Sequence, residues 1–454
     1  MTRAALPNAR GSARAGRLVA GAALGTCLLT GGALGAQPAD SLRLPALRAA
    51  ALSTDPRLRQ LALDASQSAL RQRNLDAEWL PALSVDGLAQ YQSEVARIPL
   101  QVAGLRVPTP AHDTYDAHVS AQLSLLDPTR APRRAAERAT LAESDARVRT
   151  TLYATRQEVD DAFFAAALLQ ARGAEVAAAI AGLDARRRDA AARVREGAAL
   201  PSDSAAVAAA LLQRRQDALQ LDADRRAALT RLTELTGLTP PGDAMLALPD
   251  AATLAADVAR ARTALDAPTE SLRARPEFAQ LAATRERLAR QAEVASARER
   301  PRVSAFARGG YGRPGLNPLA TDFSPYWLGG VQVQWTPWTW GAAARDREVL
   351  ALQQQITATE EAALAAQLRR GVAGDLATID RLAATLALDD GIVALRERIA
   401  AETRARLDER VVPAMEYVER DADLLAARLA RAEHRVALAQ ASARILTTLG
   451  LEIR

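Results

Sequence analysis

The sequence predicts a mostly α-helical chain with a small β-barrel contribution, organised as two tandem units that each supply two strands and a long helical hairpin. Three observations predict it: an internal repeat, four segments of apolar–polar alternation, and heptad runs longer than a globular domain needs.

The repeat is direct. Asp55-Pro56-Arg57-Leu58-Arg59-Gln60-Leu61-Ala62 aligns with Arg275-Pro276-Glu277-Phe278-Ala279-Gln280-Leu281-Ala282, and the same offset pairs Pro81 with Pro301 and Tyr91 with Tyr311. Further on, Val119-Ser120-Ala121-Gln122 matches Val331-Gln332-Val333-Gln334, and Leu235-Thr236-Gly237-Leu238 matches Thr448-Leu449-Gly450-Leu451. The first unit is set at 37–238 and the second at 275–454, with 239–274, rich in Pro, Ala and Asp, as the linker between them.

Each unit reads as helix, strand, strand, long helix, turn and return helix. The helix from Pro56 stops at Pro81, because proline lacks the donor a helix interior needs. Alternation then begins at once. Leu83, Val85, Gly87, Ala89 and Tyr91 fall on one face of a strand at about 82–92, opposite Ser84, Asp86 and Gln90. In the next strand, about 115–125, Tyr115, Ala117, Val119, Ala121, Leu123 and Leu125 oppose Asp116, His118, Ser120, Gln122 and Ser124. The second unit repeats this at about 302–312 and 326–338, where Val303, Ala305, Ala307, Gly309 and Tyr311 oppose Ser304, Arg308 and Gly310, and Val331, Val333 and Trp335 oppose Gln332, Gln334 and Thr336.

Strands of about ten residues with one apolar and one polar face match transmembrane barrel strands. Tyr91, Tyr115, Tyr311, Tyr326, Trp327, Trp335, Trp338 and Trp340 gather at their ends as interfacial girdles would. A soluble sheet with one wet face shares this alternation; the strand count favours the membrane reading. Four strands do not close a barrel and open edges are not tolerated in lipid, so a membrane reading requires several chains to share one barrel.

The hairpins are predicted at about 131–236 and 341–450. A helix of roughly 60 residues would run about 90 Å. In the first, Leu141, Val148, Thr155, Ala162, Leu169, Val176 and Leu183 recur every seven, interleaved with Leu152, Val159, Ala166, Gly173 and Ile180. In the last helix, Val418, Ala422, Leu425, Leu429, Ala432, Val436, Ala439, Ala443 and Leu446 repeat the pattern.

Composition narrows the function. Hydrophobic residues make up 49% and charged residues 24% of 454, so a packed core is available, while aromatics are 4%. Of the net charge of +5, four units come from Arg3, Arg10, Arg14 and Arg17 in the first segment. Their loss leaves little positive charge, which argues against a nucleic-acid partner. That segment reads as a cleaved secretory signal, 1–36: arginines, an apolar run from Leu18 to Leu34, and Ala33-Leu34-Gly35 before Ala36. Cys27, the sole cysteine, lies in the run, and Thr26 before it argues against acylation. No catalytic elbow, phosphate loop or metal-ligand cluster is present, so neither enzyme nor cofactor is predicted. The histidines His112, His118 and His434 are scattered, with His118 on a polar strand face and the others read as solvated; Gly309-Gly310-Tyr311-Gly312 reads as strand rather than phosphate loop.

The tandem order, the Pro-terminated helix before each first strand, the strand from Val331 to Trp340 running into Gly341, the Arg275-Pro276-Glu277 start, the endings at Gly237 and Gly450, and the turn Glu196-Gly197-Ala198-Ala199-Leu200-Pro201-Ser202-Asp203 resemble the TolC-type outer-membrane efflux family. That resemblance implies a homotrimer with a 12-stranded barrel in outer-membrane lipid and a helical tunnel crossing the periplasm. It also implies a periplasmic adaptor and an inner-membrane transporter as partners. The turns at 195–204 and 407–417 would be the periplasmic tips, with Gly197, Leu200, Pro201, Ser202, Arg410 and Pro413 as adaptor-contacting residues.

In the family, acids six and nine positions after a tip glycine line the constriction. Here Asp203 follows Gly197, and Glu416 and Glu419 follow Arg410, which replaces the second glycine; the fourth position is Ala206. Carboxylates meeting on one axis would favour cations, whereas the competing reading makes them ordinary helix N-terminal acids. Asp86, Asp116, His118, Gln122, Gln332 and Gln334 are the expected lumen-facing barrel residues. The expected function is passive small-molecule export, with metal-ion efflux, type I protein secretion or a non-transporting coiled-coil envelope scaffold as alternatives.

Overall fold

The computed structural model describes residues 41–95, 109–239, 244–264, 272–318 and 320–451, so the signal segment with Cys27 lies outside the described residues. In chain order the elements are β1 (Ser41–Arg43), α1 (Leu44–Thr54), α2 (Leu58–Ala77), β2 (Ala82–Tyr91), β3 (Asp113–Leu126), α3 (Arg130–Arg195), α4 (Pro201–Thr236), β4 (Met245–Ala247), α5 (Ala251–Ala264), α6 (Pro276–Ala297), β5 (Arg302–Arg313), β6 (Ser324–Gln334), α7 (Ala342–Asp408) and α8 (Ala414–Thr448).

The four strands of alternating sequence form one antiparallel sheet in the order β2-β3-β5-β6, so the two hairpins meet along β3 and β5. Register puts Val85, Val119, Gly309 and Trp327 in one cross-strand row and Asp86, His118, Gly310 and Tyr326 in the next. Because side chains alternate across a strand, the rows face opposite ways. The apolar face is open: Val85 is 82%, Trp327 81%, Val331 64% and Val333 65% exposed.

β6 ends at Gln334 rather than continuing to 338. Its last partner is Arg302, and Pro301 just beyond has no N–H to extend the ladder, while Pro337 removes a donor from the other side. Trp335, Trp338 and Trp340 therefore sit in the connection to α7, 58%, 70% and 82% exposed. Tyr326 is a second difference: it belongs to the polar face, where its hydroxyl donates to Asp116 Oδ1, and not to the girdle.

The segment expected to be a plain linker contains β4 and α5 as described elements. β4 pairs in parallel with β1, Ser41 opposite Met245 and Arg43 opposite Ala247, which fastens it to the beginning of the first unit.

α3 and α7 hold 66 and 67 residues, about 100 Å each at the α-helical rise. The predicted seam of α3 is buried at Val148, Leu152, Thr155, Val159, Ala162, Ala166, Val176 and Leu183. The main core forms where α1, α3, α4 and α8 converge. Phe163 and Phe164 meet edge to face at 5.2 Å beside Leu44, Leu47, Val159, Leu232 and Ile445, all buried. Each such side chain contributes about 1.5–3 kcal/mol by leaving water.

A charged pair lies inside this core. Arg48 reaches Asp160 through Nε at 2.6 Å, with a second contact from Nη2, which also donates to Thr447 Oγ1 at 3.0 Å. Burial pushes the Asp160 carboxyl up, against the opposing hydrogen bonds from Arg48 and Thr447.

Candidate functional site

Two places gather the residues singled out by sequence: the polar face of the sheet and the tips of the helical hairpins. On the sheet, register brings Asp86, Asp116, His118, Gln122, Gln332 and Gln334 onto one face. His118 stands between two carboxylates, its Nδ1 2.5 Å from Asp116 Oδ2 and its Nε2 3.5 Å from Asp86 Oδ2. Ser84 Oγ donates to Asp86 at 2.8 Å and shares a 2.7 Å hydrogen bond with Ser120 Oγ.

With the Tyr326 hydroxyl on Asp116, a polar network crosses from β2 to β6. Gly310 makes the crossing possible. A Cβ there would lie 2.6 Å from His118 Cβ and 2.8 Å from Ala117 O and Tyr326 Cζ, so a larger residue would collide with backbone as well as side chains. Gly330 gives the Phe306 ring a similar resting place. This face of the sheet is thus flat where Gly310 stands and polar around it.

Arg308 and Tyr326 join this face without having been singled out as functional from sequence. Parity alone could have placed Tyr326, because it is one residue out of phase with Trp327. His112 and His434 are not simply solvated: His112 Nδ1 lies 2.9 Å from Gln92 O with the ring stacked on Tyr91, and His434 Nδ1 lies 2.6 Å from Asp389.

At the tips, both long helices end the same way. Gly197 follows α3 with φ of 69°, and Ala198 N–H donates to Arg193 O at 2.7 Å. Arg410 follows α7 with φ of 63°, and Val411 N–H donates to Arg406 O at 2.8 Å. This is the left-handed helix stop that glycine favours, so arginine at the second tip leaves the turn in place at a conformational cost.

Pro201 opens α4 with Leu200 as its extended cap, and Pro413 caps α8. Leu200 is 65% exposed; Pro201, Ser202 and Arg410 are exposed too. The two tips touch: Asp203 Oδ1 accepts the N–H of Ala414 at 3.4 Å. Glu416 lies half-buried in the first turn of α8, and Glu419 is exposed.

Behind the turns, Leu183, Val207, Leu211, Ala414 and Tyr417 form a small apolar cluster. Burial pushes the Tyr417 hydroxyl up from its ordinary value. Arg186, buried, lies 5.5 Å from the Tyr417 ring centre and reaches Asp408 Oδ1 at 3.0 Å, an oxygen that also takes Arg193 at 3.0 Å. A groove of about 430 Å³ separates the turns, lined by Leu200 and Asp203 on one side and by Arg410 and Pro413 on the other. Arg186, Arg193, Asp408 and Tyr417 carry no motif and are found only by the packing of separate helices.

No family profile and no curated protein matches the sequence. Solved structures match in fold. The open-state MtrE outer-membrane channel of Neisseria gonorrhoeae is 17% identical, with 91% of this chain and 90% of that one covered at a TM-score of 0.64. The outer-membrane protein VceC of Vibrio cholerae is 16% identical over 90% and 97%, at 0.64. The CmeC outer-membrane channel of Campylobacter jejuni is 13% identical over 90% and 85%, at 0.63. The chain therefore has the fold of TolC-type outer-membrane channels along most of its length.

Proposed function

We propose that this chain is the outer-membrane conduit of an export system, a passive, non-enzymatic channel through which small molecules leave the cell. One observation carries the reading: a four-stranded sheet with an exposed apolar face and outer edges on β2 and β6 that no described strand pairs, continuous with helices about 100 Å long.

In lipid such edges must pair. Three copies placed edge to edge give a closed barrel of twelve strands, the apolar rows toward acyl chains and the row of Asp86 and His118 toward a water-filled lumen. The helices supply a second reason for assembly. Leu388, Ile392, Leu395 and Ile399 form an exposed stripe on α7, 68%, 48%, 52% and 38% exposed, at the spacing of a coiled-coil seam that a neighbouring copy would cover.

The tips then lie at the far end of the tunnel in the periplasm. Glu416 and Glu419, with Asp203, set the charge of the constriction, and the exposed turns around Leu200 and Pro413 meet the adaptor that links the conduit to an inner-membrane transporter. Small-molecule efflux is the cargo we favour, and the sheet face assigned to the lumen, with Asp86, His118, Gln122, Gln332 and Gln334, is polar along its length.

Carbonate extraction followed by native mass spectrometry tests this. Retention in the membrane until detergent is added, with three copies per particle, supports the conduit; release by carbonate as a monomer replaces it with a coiled-coil envelope scaffold.

A further inference from the structure

α5 stands in the second half of the chain where α1 stands in the first, and it closes a groove against α7 and α8. The groove holds about 420 Å³, within the range of small-ligand sites. Its floor is apolar, with Leu254 and Val258 from α5, Ile379 and Leu386 from α7, and Leu438 from α8. Its polar groups are almost all spent. The Ser442 hydroxyl donates to Leu438 O at 2.8 Å, and Arg262 is paired with Asp380. Arg435 is the exception: it lines the groove, is exposed, and no described residue pairs with it.

An apolar trough with its internal hydrogen bonds closed rewards a ligand that buries hydrocarbon and penalises one with polar groups along its length. A single free guanidinium at the edge adds a preference for one anionic end, best met by a carboxylate. We propose that the groove between α5 and the α7–α8 pair binds a single-chain carboxylate amphiphile, a free fatty acid, with its chain along Leu254, Ile379 and Leu438 and its head on Arg435. This site does not rest on the conduit reading, because it is argued from the side chains of α5, α7 and α8 and not from the sheet or the tips.

The test is isothermal titration of dodecanoate into the full purified chain held in amphipol, with dodecanol as the uncharged probe. Saturable binding of one dodecanoate per chain is expected. Arg435→Gln should weaken it about tenfold, the loss of one charge-assisted contact, and leave dodecanol unchanged. Ala383→Trp, which fills the groove from α7, should abolish both.

Titrations that never saturate, as would follow if a neighbouring copy covers the groove, overturn the site, as does saturation unaltered by Ala383→Trp. Equal wild-type affinity for dodecanol and dodecanoate overturns the carboxylate assignment. If Ala383→Trp loses its helical circular dichroism, Ala259→Trp fills the same groove from α5 and is read in its place.

Discussion

Asp203 in the first turn of α4 accepts the backbone N–H of Ala414 at the start of α8, at 3.4 Å, so each hairpin tip is tied to the other by a side chain that also carries charge. The contact satisfies one of the donors a helix start leaves open. Asp203→Ala removes it, and amide exchange at Ala414 should quicken about threefold, matching a net hydrogen bond of about 0.5–1 kcal/mol. Asp203→Asn keeps an acceptor and should show less than half of that change. Equal protection in wild type and the alanine variant would mean that the tips are held without this bond.

Arg410 and Gly197 occupy the same position in the two helix stops, both with positive φ. Only glycine adopts it freely. Arg410→Gly should therefore stabilise the second tip by about 1 kcal/mol, and Gly197→Ala should destabilise the first by about as much. Protease cleavage at the tips measures both, slowing in the first variant and quickening in the second.

Arg48 and Asp160 are both buried, and their pairing removes two charges from water together. Arg48→Met strands the carboxylate and should cost about 3–5 kcal/mol, whereas Arg48→Met with Asp160→Leu should recover most of the loss. Urea unfolding of the two variants, followed by far-UV circular dichroism, checks the order. A double variant as unstable as the single one would contradict the assignment of the cost to the unpaired charge.

Much of this architecture is legible in the sequence because two periods, two and seven, run long enough to be unambiguous. Val85 and Asp86 sort onto opposite faces by alternation alone, and Val148 through Leu183 mark the α3 seam. The end of β6 was harder, since the alternation of Val331, Val333 and Trp335 continues past Gln334 and only the partner strand, stopped at Pro301, ends the ladder. α5 was hidden because its apolar residues are mostly alanine, with only Leu254 and Val258 to mark a face, and β4 because its pairing partner lies some two hundred residues away at β1. At the tips, sequence placed Asp203 and Glu416 in the turns and Glu419 just beyond the second, but the pairing of Arg186 with Asp408 depends on α3 and α7 meeting at a given height, which no local pattern encodes.

Asp55 and Arg57 flank Pro56 as an ion pair at 2.6 Å, and Arg275 and Glu277 flank Pro276 as a pair with the charges exchanged. The hydrogen bonds from Arg57 hold the Asp55 carboxyl below its ordinary value. A depressed folded value means that the stabilisation is present above the unfolded carboxylate value, about 3.9, and is lost as pH falls through the folded one. Asp55→Asn should therefore be less stable than wild type at pH 7, by about 1 kcal/mol or less, and the two should converge as pH falls through the lowered folded value. A difference that stays constant down to pH 2 would assign the effect to packing instead.

The central claim is that copies of this chain form a conducting tube with an acidic constriction, and planar-bilayer recording of the detergent-extracted assembly addresses it most directly. The account predicts stable, cation-selective openings in the wild type, with selectivity lost when Asp203, Glu416 and Glu419 are replaced together by alanine. Protein that inserts poorly and passes no current would contradict the tube, and openings whose selectivity is the same in the triple variant would contradict the constriction.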